Sequence, residues 1–253
     1  MENKIKMSSS LQKAREYEKN ETVKIPIEQK PSFHACSPVG WINDPNGFSI
    51  FQDEVHLMCQ YHPYTTQWGP MHWAHYKSKD FIKWELLPVC MAPDQEYDSF
   101  GCFSGSAIEH DGKLFLMYTG VTNEGNGYEQ VQCIAYSEDG IHFEKYEGNP
   151  VLTAPEGIPT DFFRDPKIWK HEDTYYMVCG ASRNNRGMAL LYRSKNMLNW
   201  EFFNVLAESR GEWGFMWECP DFFQAGDQYV LTFSPMGAGD HTSVYMVGDF
   251  DYE

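Results

Sequence analysis

Three acids in this chain sit among turn-forming residues rather than in runs of charge. They are Asp44 in Trp41-Ile42-Asn43-Asp44-Pro45-Asn46-Gly47, Asp165 in Arg164-Asp165-Pro166, and Glu218 in Trp217-Glu218-Cys219-Pro220-Asp221. Pro45 turns Asp44 away from the right-handed helical region and Gly47 adds backbone freedom, so the loop can hold one carboxylate in a fixed, non-helical pose. Asn, Asp, Pro and Gly also make ordinary turns, and each acid taken singly reads equally as a turn residue or an ion-pair partner. Three carboxylates in one place are costly unless their proton affinities differ, and acid–base chemistry uses that difference. Glycoside hydrolysis, for example, needs one carboxyl that donates a proton and one that is ionised, with a third acid free to orient sugar hydroxyls. The chain between the acids must therefore return to the same place three times.

Its repeats supply the return. Gln52-Asp53-Glu54 to Cys59, His110-Asp111-Gly112 to Tyr118, Glu172-Asp173-Thr174 to Val178 and Gly226-Asp227-Gln228 to Phe233 each read as a polar turn followed by an apolar strand. Their aspartates recur 54 to 62 residues apart, a period that suits four-stranded propeller blades. A second repeat runs in the same register: Tyr76 to Glu85, Tyr136 to Glu144 and Tyr192 to Glu201 share a strand, a polar turn and a closing aromatic–acid pair, so Trp84, Phe143 and Trp200 mark equivalent outer strands. Ahead of each first-set turn lies the start of an innermost strand: Asn43-Asp44-Pro45, Phe103-Ser104-Gly105, Arg164-Asp165-Pro166 and Glu218-Cys219-Pro220. Innermost strands line a propeller's axis, which would bring Asp44, Asp165 and Glu218 around one funnel. The expected fold is all-β, with a helix over residues 11–20 closed by Asn20, in an N-terminal extension (1–31) ahead of the propeller (32–253).

Composition narrows the partners. A net charge of −16 argues against nucleic acid or an anionic membrane, both of which call for a basic surface. Seven cysteines, with no Cys-x-x-Cys pair, read as buried thiols in a reducing compartment. The first ten residues carry lysines but no apolar core, so a cytoplasmic location is expected. Histidines such as His34, His56, His62, His72 and His75 lack a ligand spacing, and neither metal nor cofactor is expected. Aromatic content of 16% suits strand faces and sugar-stacking surfaces alike.

Five motifs in order, the Trp41–Gly47 stretch, Gln67-Trp68-Gly69-Pro70-Met71-His72-Trp73, Phe103-Ser104-Gly105-Ser106, Arg164-Asp165-Pro166 and Trp217-Glu218-Cys219-Pro220-Asp221, resemble those of glycoside hydrolase family 32, the invertases and β-fructofuranosidases. Without a secretion signal the chain is most similar to the bacterial intracellular members that act on sucrose-6-phosphate. The resemblance implies a retaining mechanism: Asp44 as nucleophile on the fructosyl unit, Glu218 as acid and then base, and Asp165 as transition-state stabiliser beside Arg164, whose cation helps keep it ionised. It also implies that Cys219 tunes Glu218, and that Trp41, Asn43, Gln60, Trp68, Trp73, Phe103 and Ser104 bind sugar, the tryptophans as an apolar wall. Substrates would be sucrose, sucrose-6-phosphate or a short fructan.

Ala74 and His62 depart from residues frequent in the family, on the leaving-group side of the pocket. Family members have five blades and a C-terminal β-sandwich, whereas this chain stops at Glu253, so about four blades are expected, with the sandwich absent and the ring open. Unpaired edges of an open ring are expected to weaken turnover. Other readings of the same sequence are an inverting arabinan- or xylan-directed hydrolase of this architecture, a fructosyltransferase, and a non-catalytic sugar-binding or remnant propeller.

Overall fold

Two-residue turns set the strands against each other. Asp111-Gly112 and Asn184-Asn185 have positive φ at both positions, the hairpin geometry whose twist matches that of its strands. The computed structural model describes residues 7–123, 125 and 127–253, and among them the chain folds into four antiparallel sheets. Blade I pairs β1 (Trp41–Phe51), β2 (Glu54–His62), β3 (His72–Ser78) and β4 (Glu85–Met91). Blade II pairs β5 (Gly101–His110), β6 (Lys113–Asn123), β7 (Tyr128–Ser137) and β8 (Glu144–Lys145), with β9 (Leu152–Thr153) also on β7. Blade III is β10 (Phe163–His171), β11 (Thr174–Arg183), β12 (Arg186–Ser194) and β13 (Glu201–Glu208). Blade IV is β14 (Met216–Ala225), β15 (Gln228–Met236) and β16 (Val244–Gly248).

Both repeats fall at the same places in successive blades. The first set forms the turn between inner and second strands. In the second set, one side-chain oxygen per turn does the same work: Asp80 Oδ1 accepts from the backbone of Ile82 and Lys83, Asp139 Oδ1 from Ile141 and His142, and Asn196 Oδ1 from Leu198 and Asn199. Such Asx turns replace ladder bonds that the reversing backbone cannot make, and the outer strands begin directly after Trp84, Phe143 and Trp200.

The inner strands β1, β5, β10 and β14 pack in that order, each against the next. Apolar faces meet between blades: Met58 and Trp73 against Leu116 and Tyr118, Met117 and Ile134 against Phe163 and Met188, and Val178 and Ala189 against Trp217 and Phe233. Each large side chain so buried contributes about 1.5–3 kcal/mol, which fixes the angle between neighbouring blades.

The N-terminal helix α1 spans Ser9–Thr22, slightly longer than expected, with the Ser8 hydroxyl accepting from Leu11 N–H at its start. It is not a loose appendage. Leu11, Ala14 and Glu18 form one buried stripe that joins the core cluster of blade I, and Arg15 Nε donates to Val89 O at 2.8 Å. All seven cysteines are free, five of them buried and Cys36 and Cys219 half-buried. Among the described residues no helix is long and apolar enough to cross a membrane.

Candidate active site

Every inner strand breaks register at the same height. The ladder skips between Ile42 and Pro45 in β1, Phe103 and Gly105 in β5, Arg164 and Lys167 in β10, and Glu218 and Asp221 in β14. The residues that ride these skips include Asn43, Asp44, Ser104, Asp165 and Cys219. A bulge bends its strand and re-aims its side chains, and a proline beside it forfeits no ladder donor; Pro45, Pro166 and Pro220 stand there. Asp165 and Cys219 take left-handed φ of 61° and 48°, a conformation that costs a non-glycine residue on the order of 1 kcal/mol. Hydrogen bonds hold both in place: Asp165 N–H donates to Thr119 Oγ1 at 2.9 Å, and Cys219 N–H donates to Asp165 Oδ2 at 2.9 Å.

The three acids converge as expected. Asp44, Asp165 and Glu218 all line one cavity of about 390 Å³, together with Asn43, Gln60 and Arg164. Asp44 is held by one oxygen: Oδ2 accepts from Ser104 Oγ at 2.8 Å, from Gln60 Nε2 at 3.4 Å, and from the Cys219 thiol at 3.7 Å. Gln60 also donates to Ser104 Oγ, which makes a buried relay ending on Asp44. Among the described residues Oδ1 receives no donor and is left to the cavity.

Arg164 ties the other two acids together. Its Nη2 donates to Glu218 Oε1 at 2.9 Å, its Nε stands 3.8 Å from Asp165 Oδ2, and its Nη1 donates to Asp161 O at 3.2 Å and Gln130 Oε1 at 3.4 Å. The guanidinium does favour ionised Asp165, the direction expected from the sequence, but it is not the strongest influence on that carboxyl. Burial is the larger effect and raises the Asp165 carboxyl from an ordinary 3.8 to about 6, while Arg164 and the Cys219 N–H pull it back only in part.

The Cys219 thiol makes its hydrogen bonds to Asp44 and Asp165, each at 3.7 Å. Burial among carboxylates pushes the thiol well above its usual range, so it stays protonated and serves as a donor. Trp41 supports from behind, its indole N–H donating to Asn43 Oδ1 at 2.9 Å. Trp73 is the clear correction. It is fully buried between blades I and II, with its N–H on Cys102 O and Phe103 O, and presents no face to the cavity. Trp68 and Phe103 do line it.

Residues that motif reading passed over complete the walls: Tyr128, Gln130, Asp161, Phe162 and Met236. Tyr128 and Gln130 lie on β7, where the period-two alternation of a strand was a usable signal; Asp161 and Phe162 stand in a loop without one.

Blades that carry carboxylates from three of four inner strands to one axial cavity define a carboxylate-centred β-propeller. The model of the glycosyl hydrolases family 32 N-terminal domain matches residues 34–253, and the chain belongs to that family. It is 50% identical over 213 residues to the sucrose-6-phosphate hydrolase of Escherichia coli, covering 82% of this chain and 44% of the relative. It is 38% identical to that of Bacillus subtilis, covering 94% and 52%. A family 32 β-fructofuranosidase from Bombyx mori superposes with a TM-score of 0.89 at 43% identity over 96% of this chain and 54% of that one, and a mutant of that enzyme has been solved with sucrose. The chain thus spans about half the length of these relatives.

The backbone of Asp165 rests on a relay that reaches across a blade boundary. Thr119 Oγ1 accepts from Asp165 N and donates to Gln132 Oε1 at 2.9 Å, while Gln132 Nε2 donates to Phe163 O at 2.9 Å. Thr119 and Gln132 are fully buried. Thr119→Val leaves two buried groups without partners, so the melting temperature is expected to fall by roughly 4–8 °C, with Thr119→Ser recovering most of it. A valine variant that melts with the parent would show that the relay carries no weight.

Proposed function

We propose that this domain cleaves the β-fructofuranosyl bond of sucrose-type substrates with retention of configuration. The observation that carries the reading is the gathering of Asp44, Asp165 and Glu218 in one cavity, with Arg164 bridging the latter two. Asp44 Oδ1, free of donors among the described residues, attacks the anomeric carbon while Glu218 passes its proton to the departing glycosyl oxygen. Arg164 holds Glu218 by Oε1 and leaves Oε2 for that transfer. A fructosyl–Asp44 ester results; water then attacks the same carbon, Glu218 takes the water's proton, and the Asp44 carboxylate departs. Asp165 grips fructose hydroxyls as an ionised acceptor, and Asn43 and Gln60 complete their partners. The names of the relatives support sucrose chemistry, and seven free thiols suit a reducing, cytoplasmic setting.

Fructose release from sucrose by the purified chain, followed from pH 4 to 8, tests the proposal. Because Asp165 titrates near 6 and acts ionised, kcat/KM is expected to fall about tenfold for each unit below that value. The sign for stability is opposite: the raised carboxyl favours the folded state at low pH, and that contribution is lost as pH rises from 3.8 through about 6. No fructose release at any pH, from a chain that melts cooperatively, would defeat the reading.

A further inference from the structure

Two sulfur atoms stand among the charged groups of the site, and they differ in what an oxidant can do to them. Burial among carboxylates keeps the Cys219 thiol protonated, and a protonated thiol reacts slowly with peroxides because the thiolate is the nucleophile. A thioether has no proton to lose. Met236 carries one, half-buried, and it is the only methionine among the described residues that lines the cavity. Eight of the chain's 12 methionines are instead buried in the blade cores, at 4% exposure or less. Any path that admits a sugar to the acids admits the far smaller hydrogen peroxide to Met236.

That sulfur is coupled to Glu218 through one nitrogen. Arg164 Nη2 donates to Glu218 Oε1 at 2.9 Å and to Met236 Sδ at 3.3 Å. A thioether is a weak acceptor, so it occupies the second N–H without drawing the guanidinium off the carboxylate. The Met236 backbone is pinned: it closes the β14–β15 ladder opposite Met216, and its carbonyl accepts from Phe215 N–H at 2.9 Å. A change at the sulfur is therefore felt by Arg164 rather than absorbed by the strand. We propose that Met236 is an oxidation site that switches the domain off: peroxide converts its thioether to a sulfoxide, whose oxygen captures Arg164 Nη2 and takes it from Glu218. In that step a sulfur lone pair attacks one peroxide oxygen, and a sulfur–oxygen bond forms as the oxygen–oxygen bond breaks. The departing hydroxide takes the proton left on the transferred oxygen and becomes water; sulfur is oxidised and peroxide reduced. The lesion is reversible, since methionine sulfoxide reductases restore the thioether. The modification stands on the contact itself, and its effect on turnover rests on the hydrolytic reading above.

Hydrogen peroxide treatment of the folded chain, followed by peptide mass mapping, is expected to add one oxygen at Met236 and none at the buried methionines. Kinetics of the treated chain should show kcat for sucrose down about tenfold, the scale of one lost charge-assisted hydrogen bond. The loss should be far smaller on an aryl β-fructofuranoside with an acidic phenol, which departs without a proton from Glu218, and a sulfoxide reductase should restore the rate. Met236→Leu, compared with its own untreated sample, should lose nothing to peroxide. The Arg164 side-chain N–H resonance, assigned by its absence in Arg164→Lys, reads the same switch without any turnover: it should shift when the parent is oxidised and hold still in treated Met236→Leu. A chain whose resonance shifts with sulfoxide formation but which cleaves no fructoside keeps the inference and loses the hydrolytic reading. No oxygen at Met236, a resonance that ignores its oxidation, equal losses on the two fructosides, or a Met236→Leu chain inactivated like the parent would overturn the inference.

Discussion

Asp44→Asn is expected to lower kcat for sucrose by on the order of 10⁴-fold or more, the scale on which loss of a covalent nucleophile is felt. The geometry makes the substitution a clean one. Ser104, Gln60 and the Cys219 thiol all donate toward Oδ2, so in the variant the amide oxygen takes that place and the amide nitrogen, which cannot form the ester, faces the cavity. The fold should be undisturbed, with a melting temperature within about 2 °C of the parent. Steady-state kinetics beside a thermal melt decide the matter. An asparagine variant that keeps about 1% of the rate, with contaminating activity removed, would take the nucleophile's role away from Asp44.

Glu218→Gln has the second largest expected effect, and its size should depend on the leaving group. General acid assistance is worth roughly 10²–10⁴-fold when the departing oxygen is a poor leaving group, as in sucrose. An aryl β-fructofuranoside with an acidic phenol departs without a proton, so the loss in its first step should be about tenfold or less. The glutamine amide of the variant keeps an oxygen for the Arg164 Nη2 bond, which in the parent is 2.9 Å to Glu218 Oε1, and the clamp between the two acids survives. Equal losses on both substrates would mean that Glu218 serves to hold Arg164, not to deliver a proton.

The parts of this structure that could be read in the sequence are those ruled by local chemistry repeated in register. Asp80, Asp139 and Asn196 each close a turn by the same pair of backbone bonds, and Asp111-Gly112 forms a hairpin that few other dipeptides form as well. Once those turns fix the blades, the convergence of Asp44, Asp165 and Glu218 follows from the propeller's axis. What depends on neighbours distant in sequence could not be read. Trp73 shares a motif with Trp68, yet only three-dimensional packing decides that one ring joins Leu116 and Tyr118 in the core while the other reaches solvent. The titration of Asp165 likewise depends on how far burial outweighs Arg164, and the docking of α1 on a surface of blade I that the sequence does not mark. Cys219 sits next to Glu218 in the chain, but its left-handed backbone swings the thiol to Asp44 and Asp165 instead.

The shared height of the four register skips bears on how such a domain can diversify. In each inner strand pairing resumes directly below the skip, at Pro45, Gly105, Lys167 and Asp221, so the backbone ladder there is indifferent to which side chain rides above it. Inheritance is thereby divided into two compartments: a frame whose changes are punished by misfolding, and a crown whose changes are judged only by what they bind. A lineage can therefore exchange a residue such as Asn43, which lies in the skip and lines the cavity, without renegotiating the pairing of its blades.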